Sequence, residues 1–185
     1  MLSPCKTQTI SGMRTFLYHT ELRFSLDVRG CRFIQVSCTC RHALALSTGD
    51  ALFSWGLGHS GQLGHGSTDS SDMPRRVLKL ERGSVLSIAA GQQTSLALAR
   101  NGEMWSWGTG LALGHGGNDE SLQLLPRLVK GLPPGASITR ITAGGNKAAC
   151  VRADGTALSW GKFDHDGALE TSTPALLGVA PGNGS

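Results

Sequence analysis

The tripeptide Ser-Trp-Gly occurs three times in this chain, at Ser54-Trp55-Gly56, Ser106-Trp107-Gly108 and Ser159-Trp160-Gly161. Its tryptophans stand 52 and 53 residues apart in a sequence of 185. A period of that length marks a repeat architecture, in which each unit buries its apolar face against the next. The same plan surrounds each copy. An apolar segment leads, "FIQVSCTCRHALAL", "VLSIAAGQQTSLAL" or "ITRITAGGNKAACV". A turn follows, then a short segment ending in Ser-Trp-Gly, then a glycine-rich loop. Pro74, Pro126 or Pro174 comes next, beside another short apolar run.

Each copy reads as a β-hairpin. Asn101-Gly102 is a two-residue turn signal of the I′ kind, with both residues at positive φ. Folding there sets Ala97 against Ser106 and Leu96 against Trp107. Asp154-Gly155 does the same in the third copy, setting Cys150 against Ser159 and Ala149 against Trp160. Gly49-Asp50 reverses the order and suits a II′ turn, setting Ala45 against Ser54 and Leu44 against Trp55. Side chains alternate faces along a strand. On this register one face of each hairpin carries the large apolar residues and the other the small ones. The small face admits a neighbouring sheet closely, which is the plan of a β-propeller. The expected fold is all-β, a partial propeller of about three repeats of roughly 52 residues. The units run over about 22–73, 74–125 and 126–173 with a trailing strand to 179. Residues 1–21 match no repeat and read as a possible disordered lead, and 180–185 as a tail.

With 26 glycines and 16% charged residues, the composition suits a turn-rich β fold. The net charge of +4 resides in residues 1–41, where Lys6, Arg14, Arg23, Arg29, Arg32 and Arg41 oppose Glu21 and Asp27. Six dispersed charges read as solvated surface, which disfavours nucleic acid as a partner. Five cysteines without framework spacing read as reduced thiols of an intracellular protein, cytoplasmic or nuclear. No apolar run reaches the roughly 20 residues of a membrane span, and no signal peptide is expected.

The hairpin, Ser-Trp-Gly, Gly-Gln-Leu-Gly and proline, in that order, resemble the regulator of chromosome condensation repeat. The fullest copy is "ALFSWGLGHSGQLGHG" at 51–66. The second, "MWSWGTGLALGHG", has a loop two residues shorter, and the third, "ALSWGKFDHDGALE", lacks the Leu-Gly pair. The resemblance covers roughly 22–179. It implies four-stranded blades of a seven-bladed propeller, so about three units are a fragment or short form of a larger ring, or an open arc. It implies a non-enzymatic protein-interaction module, or alternatively a guanine nucleotide exchange factor for a Ran-like small GTPase. No segment matches the wedge of the exchange-active branch, so no catalytic residue is carried over. Partners are expected to be proteins, a small GTPase among the candidates, with self-association available to cover open blade edges.

Trp55, Gly56, Gly64, Trp107, Gly108, Gly114, Trp160 and Gly161 are read as structural repeat positions. Cys38, Cys40 and His42 alternate, a spacing that would put three metal ligands on one strand face. The repeat opposes this reading. Cys38 aligns with the packed Ala90 and Ala143, His42 with Thr94 and Lys147, and no fourth ligand appears. The resemblance implies that His42 packs and hydrogen-bonds. His65 and His115 both sit in Leu-Gly-His-Gly, at equivalent places in separate repeats, and read as structural loop residues. The glycines around them lack the Gly-Lys-Ser/Thr end of a phosphate loop. Ser54, Ser106 and Ser159 read as close-packed strand residues, so no nucleophile is expected. No metal or other cofactor is expected. Candidates for partner contact are His59, Arg75 and Arg76, together with Asp164 and His165 of the divergent third loop.

Overall fold

The protein is described here from a computed structural model covering residues 28, 30–80, 85–116, 122–130, 132, 137–162 and 171–176. The lead at 1–21, the tail, Asp164 and His165 lie outside the described residues. The first sheet comprises β1 (Phe33–Cys38), β2 (His42–Ser47), β3 (Leu52–Gly56) and β4 (Ser71–Arg76). The second comprises β5 (Val85–Ala90), β6 (Thr94–Ala99), β7 (Met104–Gly108) and β8 (Gln123–Leu128). The third comprises β9 (Ile138–Gly144), β10 (Lys147–Arg152), β11 (Ala157–Gly161) and β12 (Thr171–Leu176). Each is a four-stranded antiparallel meander in chain order. The first strand of each later sheet lies against the first two strands of the sheet before it, β5 beside β1 and β2, and β9 beside β5 and β6. This is the wedge of blades fanned about an axis, an open partial propeller.

The three hairpins share one register, and it differs from the expected one by a single residue. Trp107 lies opposite Ser95, Ser106 opposite Leu96 and Trp105 opposite Ala97. Trp55 lies opposite Ala43 and Ser54 opposite Leu44, while Trp160 lies opposite Ala148 and Ser159 opposite Ala149. The turns explain the shift. Gly102 N–H donates to Ala99 O at 3.0 Å and Ala99 N–H to Glu103 O at 2.8 Å. The loop therefore has three residues, with Gly102 left-handed at φ 84°. A three-residue turn with a glycine bulge costs one more residue than the I′ turn expected from Asn-Gly. Gly155 repeats this geometry at φ 84°, and in the first repeat Asp50 adopts it at φ 55°. The reversed Gly49-Asp50 order is thus no II′ turn, since Asp50 holds the left-handed place.

The consequence is that neither face is purely large or small. One face of the second blade carries Leu96, Leu98, Met104 and Ser106, and the other Ser95, Ala97, Trp105 and Trp107. Small residues of one strand lie beside large ones of its neighbour, and adjacent blades interlock. Leu44, Leu46 and Leu52 of the first blade pack with Ile88, Ala90, Ala97 and Trp107 of the second. Leu96, Leu98 and Met104 pack in turn with Ala148, Cys150, Leu158 and Trp160 of the third. Two continuous apolar seams form the core, one between each pair of blades.

The outer strands β4, β8 and β12 each carry a proline at the fourth position, Pro74, Pro126 and Pro174. A residue without an N–H is at home on an edge strand, where it also discourages further pairing. Each of these strands is bulged opposite the tryptophan of the adjacent strand.

Candidate functional site: the loop rim

The loops that follow Ser-Trp-Gly leave each blade at a glycine. Gly56, Gly108 and Gly161 have φ of 107°, 107° and 112°. A Cβ there would lie 2.1–2.6 Å from the carbonyl oxygen of Arg41, Gln93 or Asn146. The next N–H, of Leu57, Thr109 or Lys162, donates to that same carbonyl at 2.8–3.0 Å. Only glycine fits both the dihedral and the space.

The tryptophan of each later blade anchors the loop of the blade before it. Trp107 Nε1 donates to Gln62 O at 2.8 Å, and Trp160 Nε1 to Ala112 O at 2.8 Å. Both indoles are fully buried. Gly64 and Gly114, at φ 74° and 75°, lie flat against these rings. An added Cβ would come within 2.8 and 2.9 Å of the respective Nε1. Gln62 O also accepts from Ser95 Oγ at 2.8 Å, and Ser95 Oγ pairs with His42 Nε2 at 2.8 Å. The serine proton is spent on the carbonyl, so the His42 ring donates through Nε2. Burial lowers the His42 pKa to about 4. His42 is therefore a neutral strut between two blades. Cys38 and Cys40, by contrast, are exposed. Cys38 thus departs from the packed environment expected from Ala90, and it does not join His42 in a ligand set. Among the described residues no three His, Cys, Asp or Glu side chains converge on a metal position.

A second hydrogen-bonded cluster recurs on the rim. Ser54 Oγ donates to Leu63 O at 2.6 Å and lies 3.0 Å from His65 Nε2. Ser106 Oγ donates to Leu113 O at 2.7 Å and lies 3.1 Å from His115 Nε2. Each hydroxyl has one proton, already used, so each imidazole donates to its serine. Burial, aided by the charge of Arg127, lowers the His115 pKa to about 4. Burial and Arg75 likewise lower that of His65. A nucleophilic serine needs a histidine that accepts its proton; these histidines do the reverse. Each bonds a serine of its own repeat, so the pair forms two separate clamps and not one converging site. The serines hold loops and do more than pack closely.

His59 is exposed at the loop tip, and Arg75 is exposed on β4. Arg76 is half-buried. The structure adds Arg127, which occupies in β8 the place of Arg75, since Ser54 opposes Arg75 and Ser106 opposes Arg127. The repeated Pro-Arg at 74–75 and 126–127 was the signal in the sequence; the third copy has Pro174-Ala175. Two arginines thus stand at equivalent edge positions, the first beside the exposed Asp69 and Asp72.

Bladed sheets, a tryptophan peg and a clamped glycine loop, repeated in register, define a repeat propeller whose rim presents loops. The chain belongs to the regulator of chromosome condensation (RCC1) repeat family, whose description matches residues 50–98 and 101–151, more than half of the sequence. Each match runs from the third strand of one blade to the second strand of the next, so the sequence unit is offset from the structural blade. The chain is 37% identical over 140 residues to the human E3 ubiquitin-protein ligase HERC2, covering 74% of this chain and 3% of that protein. It is 34% identical over 130 residues to the Arabidopsis thaliana ultraviolet-B receptor UVR8, covering 69% of this chain and 29% of the receptor. The crystal structure of Prp20p from Saccharomyces cerevisiae superposes with a TM-score of 0.65 at 23% identity, over 82% of this chain and 40% of that one. The chain thus spans well under half the length of each of these proteins.

Proposed function

We propose that this chain is a non-enzymatic protein–protein interaction module. Its partner contacts are the loop tips and the outer edge, with His59, Arg75, Arg76 and Arg127 at their centre and Asp164 and His165 in the third loop. The observation that carries this reading is the use made of the side chains that look catalytic. Both Ser–His pairs are consumed in holding loops, with the serine proton on a backbone carbonyl and the imidazole as donor. What the clamps leave free on the rim is shape and charge of both signs, with the exposed Asp69 and Asp72 near Arg75, which suit a protein surface of complementary charge. A reducing compartment, cytoplasm or nucleus, is part of this proposal, and the reduced thiols of Cys38, Cys40 and Cys150 support it.

The competing reading is nucleotide exchange on a Ran-like GTPase, and it draws on the likeness to Prp20p, studied for its binding to Gsp1p and histones. Release of labelled GDP from a panel of small GTPases separates the two. The expected result is no acceleration at micromolar chain. Acceleration that depends on rim residues would replace the interaction reading with the exchange reading.

A further inference from the structure

The three hairpin tips share a geometry and differ in one chemical respect. Asn101 and Asp154 hold equivalent places, each one residue before the left-handed glycine, Gly102 or Gly155. Both side chains fold back onto the turn. Asn101 Oδ1 accepts from Glu103 N–H at 3.1 Å, and Asp154 Oδ1 from Thr156 N–H at 2.9 Å. In the first hairpin the order is Gly49-Asp50, and Ala51 follows. Of the three equivalent turns, only the second therefore sets a carboxamide directly before a glycine. Arg100, Asn101 and Glu103 are exposed, so water reaches this tip.

We propose that Asn101 is a site of spontaneous deamidation, with water as the only co-reactant. Gly102 has no Cβ to screen its nitrogen from the Asn101 carboxamide. Its N–H first leaves Ala99 O, to which it donates at 3.0 Å, and gives its proton to solvent base. The nitrogen then bonds to Asn101 Cγ, and the Cγ–Nδ2 bond breaks with release of ammonia. Glu103 N–H points at Oδ1, the atom on which negative charge develops during that addition. The resulting five-membered imide takes up one water. Opening at Cγ leaves aspartate, and opening at the Asn101 main-chain carbonyl leaves isoaspartate. The other two turns are poor substrates for the same step. Hydrogen bonds from Thr156 hold the Asp154 carboxyl below the usual carboxylate range, so it stays ionised and resists addition. Asp50 is paired with Arg100 at 3.2 Å, and the residue after it carries a Cβ.

The two products differ in what they do to the blade. Aspartate at 101 reproduces the Asp154 arrangement, which the third hairpin already accommodates. Isoaspartate runs the main chain through Cβ and Cγ, and so lengthens a turn closed by Ala99 N–H on Glu103 O at 2.8 Å. That closure holds Trp105 opposite Ala97 and Trp107 opposite Ser95. The isoaspartyl form therefore loosens the second hairpin beside the Arg100–Asp50 pair that ties it to the first blade.

Ageing the full chain at mildly alkaline pH in water enriched in heavy oxygen tests this. Peptide mapping by mass spectrometry separates position 101 from Asn146 and Asn183. Aspartate and isoaspartate are expected to accumulate at 101, both carrying the heavy oxygen, at a rate that rises with hydroxide concentration. Asn146, which precedes Lys147, is expected to keep its amide over the same period. A free peptide of residues 97–106 supplies the reference rate. An Asn101 still intact in the folded chain once the peptide has converted would show that the bond to Ala99 O shuts the reaction off, and would overturn the proposal. Conversion without uptake of heavy oxygen would exclude hydrolysis of an imide and overturn it equally. The isoaspartyl chain, separated from the aged mixture, is expected to melt below Asn101→Asp, and Asn101→Asp to melt with the unaged chain. Equal melting of the isoaspartyl chain and Asn101→Asp would overturn the loosening of the hairpin.

Discussion

At the residue scale, Ser106-Trp107-Gly108 divides three tasks among three residues. The serine closes a clamp on its own loop, the tryptophan bolts the preceding blade, and the glycine lets the chain turn where no Cβ fits. Trp107→Ala removes a fully buried ring at the centre of a seam, and its expected cost is about 3–5 kcal/mol in denaturant unfolding. Trp107→Phe retains most of the packing and loses the bond to Gln62 O. That carbonyl keeps Ser95 as a donor, so the expected loss from the bond is smaller, about 1 kcal/mol. Equal costs for the two variants would show that the hydrogen bond, and not the packed ring, dominates the seam.

At the element scale, the hairpins are governed by one left-handed residue each. Gly102 and Gly155 take that place in two blades and Asp50 in the other. Aspartate tolerates the left-handed region better than residues without a short polar side chain. Gly102→Ala is expected to lower stability by about 1 kcal/mol, and Gly102→Asp by less. Thermal unfolding of the two variants measures the order. A reversed order would mean that Asp50 is held by its surroundings, including the Arg100–Asp50 ion pair at 3.2 Å between the first two blades, and not by its own preference. The shared bulge also shifts the register of all three hairpins together. A change of loop length in one blade would put its tryptophan on the wrong face and sever that seam.

At the scale of the whole molecule, stability rests on two seams, the first crossed by neutral His42, and on the rim clamps of His65 and His115. His42 and His115 have pKa values of about 4 in the fold, against about 6.5 when the chain is unfolded. Between these values the unfolded chain binds more protons than the folded one, so stability falls as pH falls from about 6.5 towards 4. His65 acts in the same direction. At the other end, burial pushes the Cys150 thiol up from 9.0 to about 11. Above pH 9 the unfolded thiol ionises first, and stability falls again as pH rises towards 11. The expected curve of melting temperature against pH is a plateau between these limits. His115→Gln should flatten its acid limb, because the side-chain amide can still donate to Ser106 and cannot titrate. An unchanged acid limb would show that His115 does not control acid unfolding.

The sequence alone determined the number of blades, the strand and hairpin pattern, and the family, because a 52-residue period in tryptophan, glycine and proline has few physical solutions. It also identified His42, His65 and His115 as structural, since repeat alignment separates residues that local spacing seems to unite. The register was not legible from Asn101-Gly102, because a I′ turn and a bulged three-residue turn both use glycine, and Asp50 concealed the common geometry. Arg127 went unread beside Arg75 because its position on an edge strand becomes significant only when β8 is laid on β7. Which groups each tryptophan touches was decided by tertiary structure. Trp107 meets Gln62 and Gly64 across 45 and 43 positions of chain, and only the packing of one blade on the next brings a ring, a carbonyl and a left-handed glycine into contact.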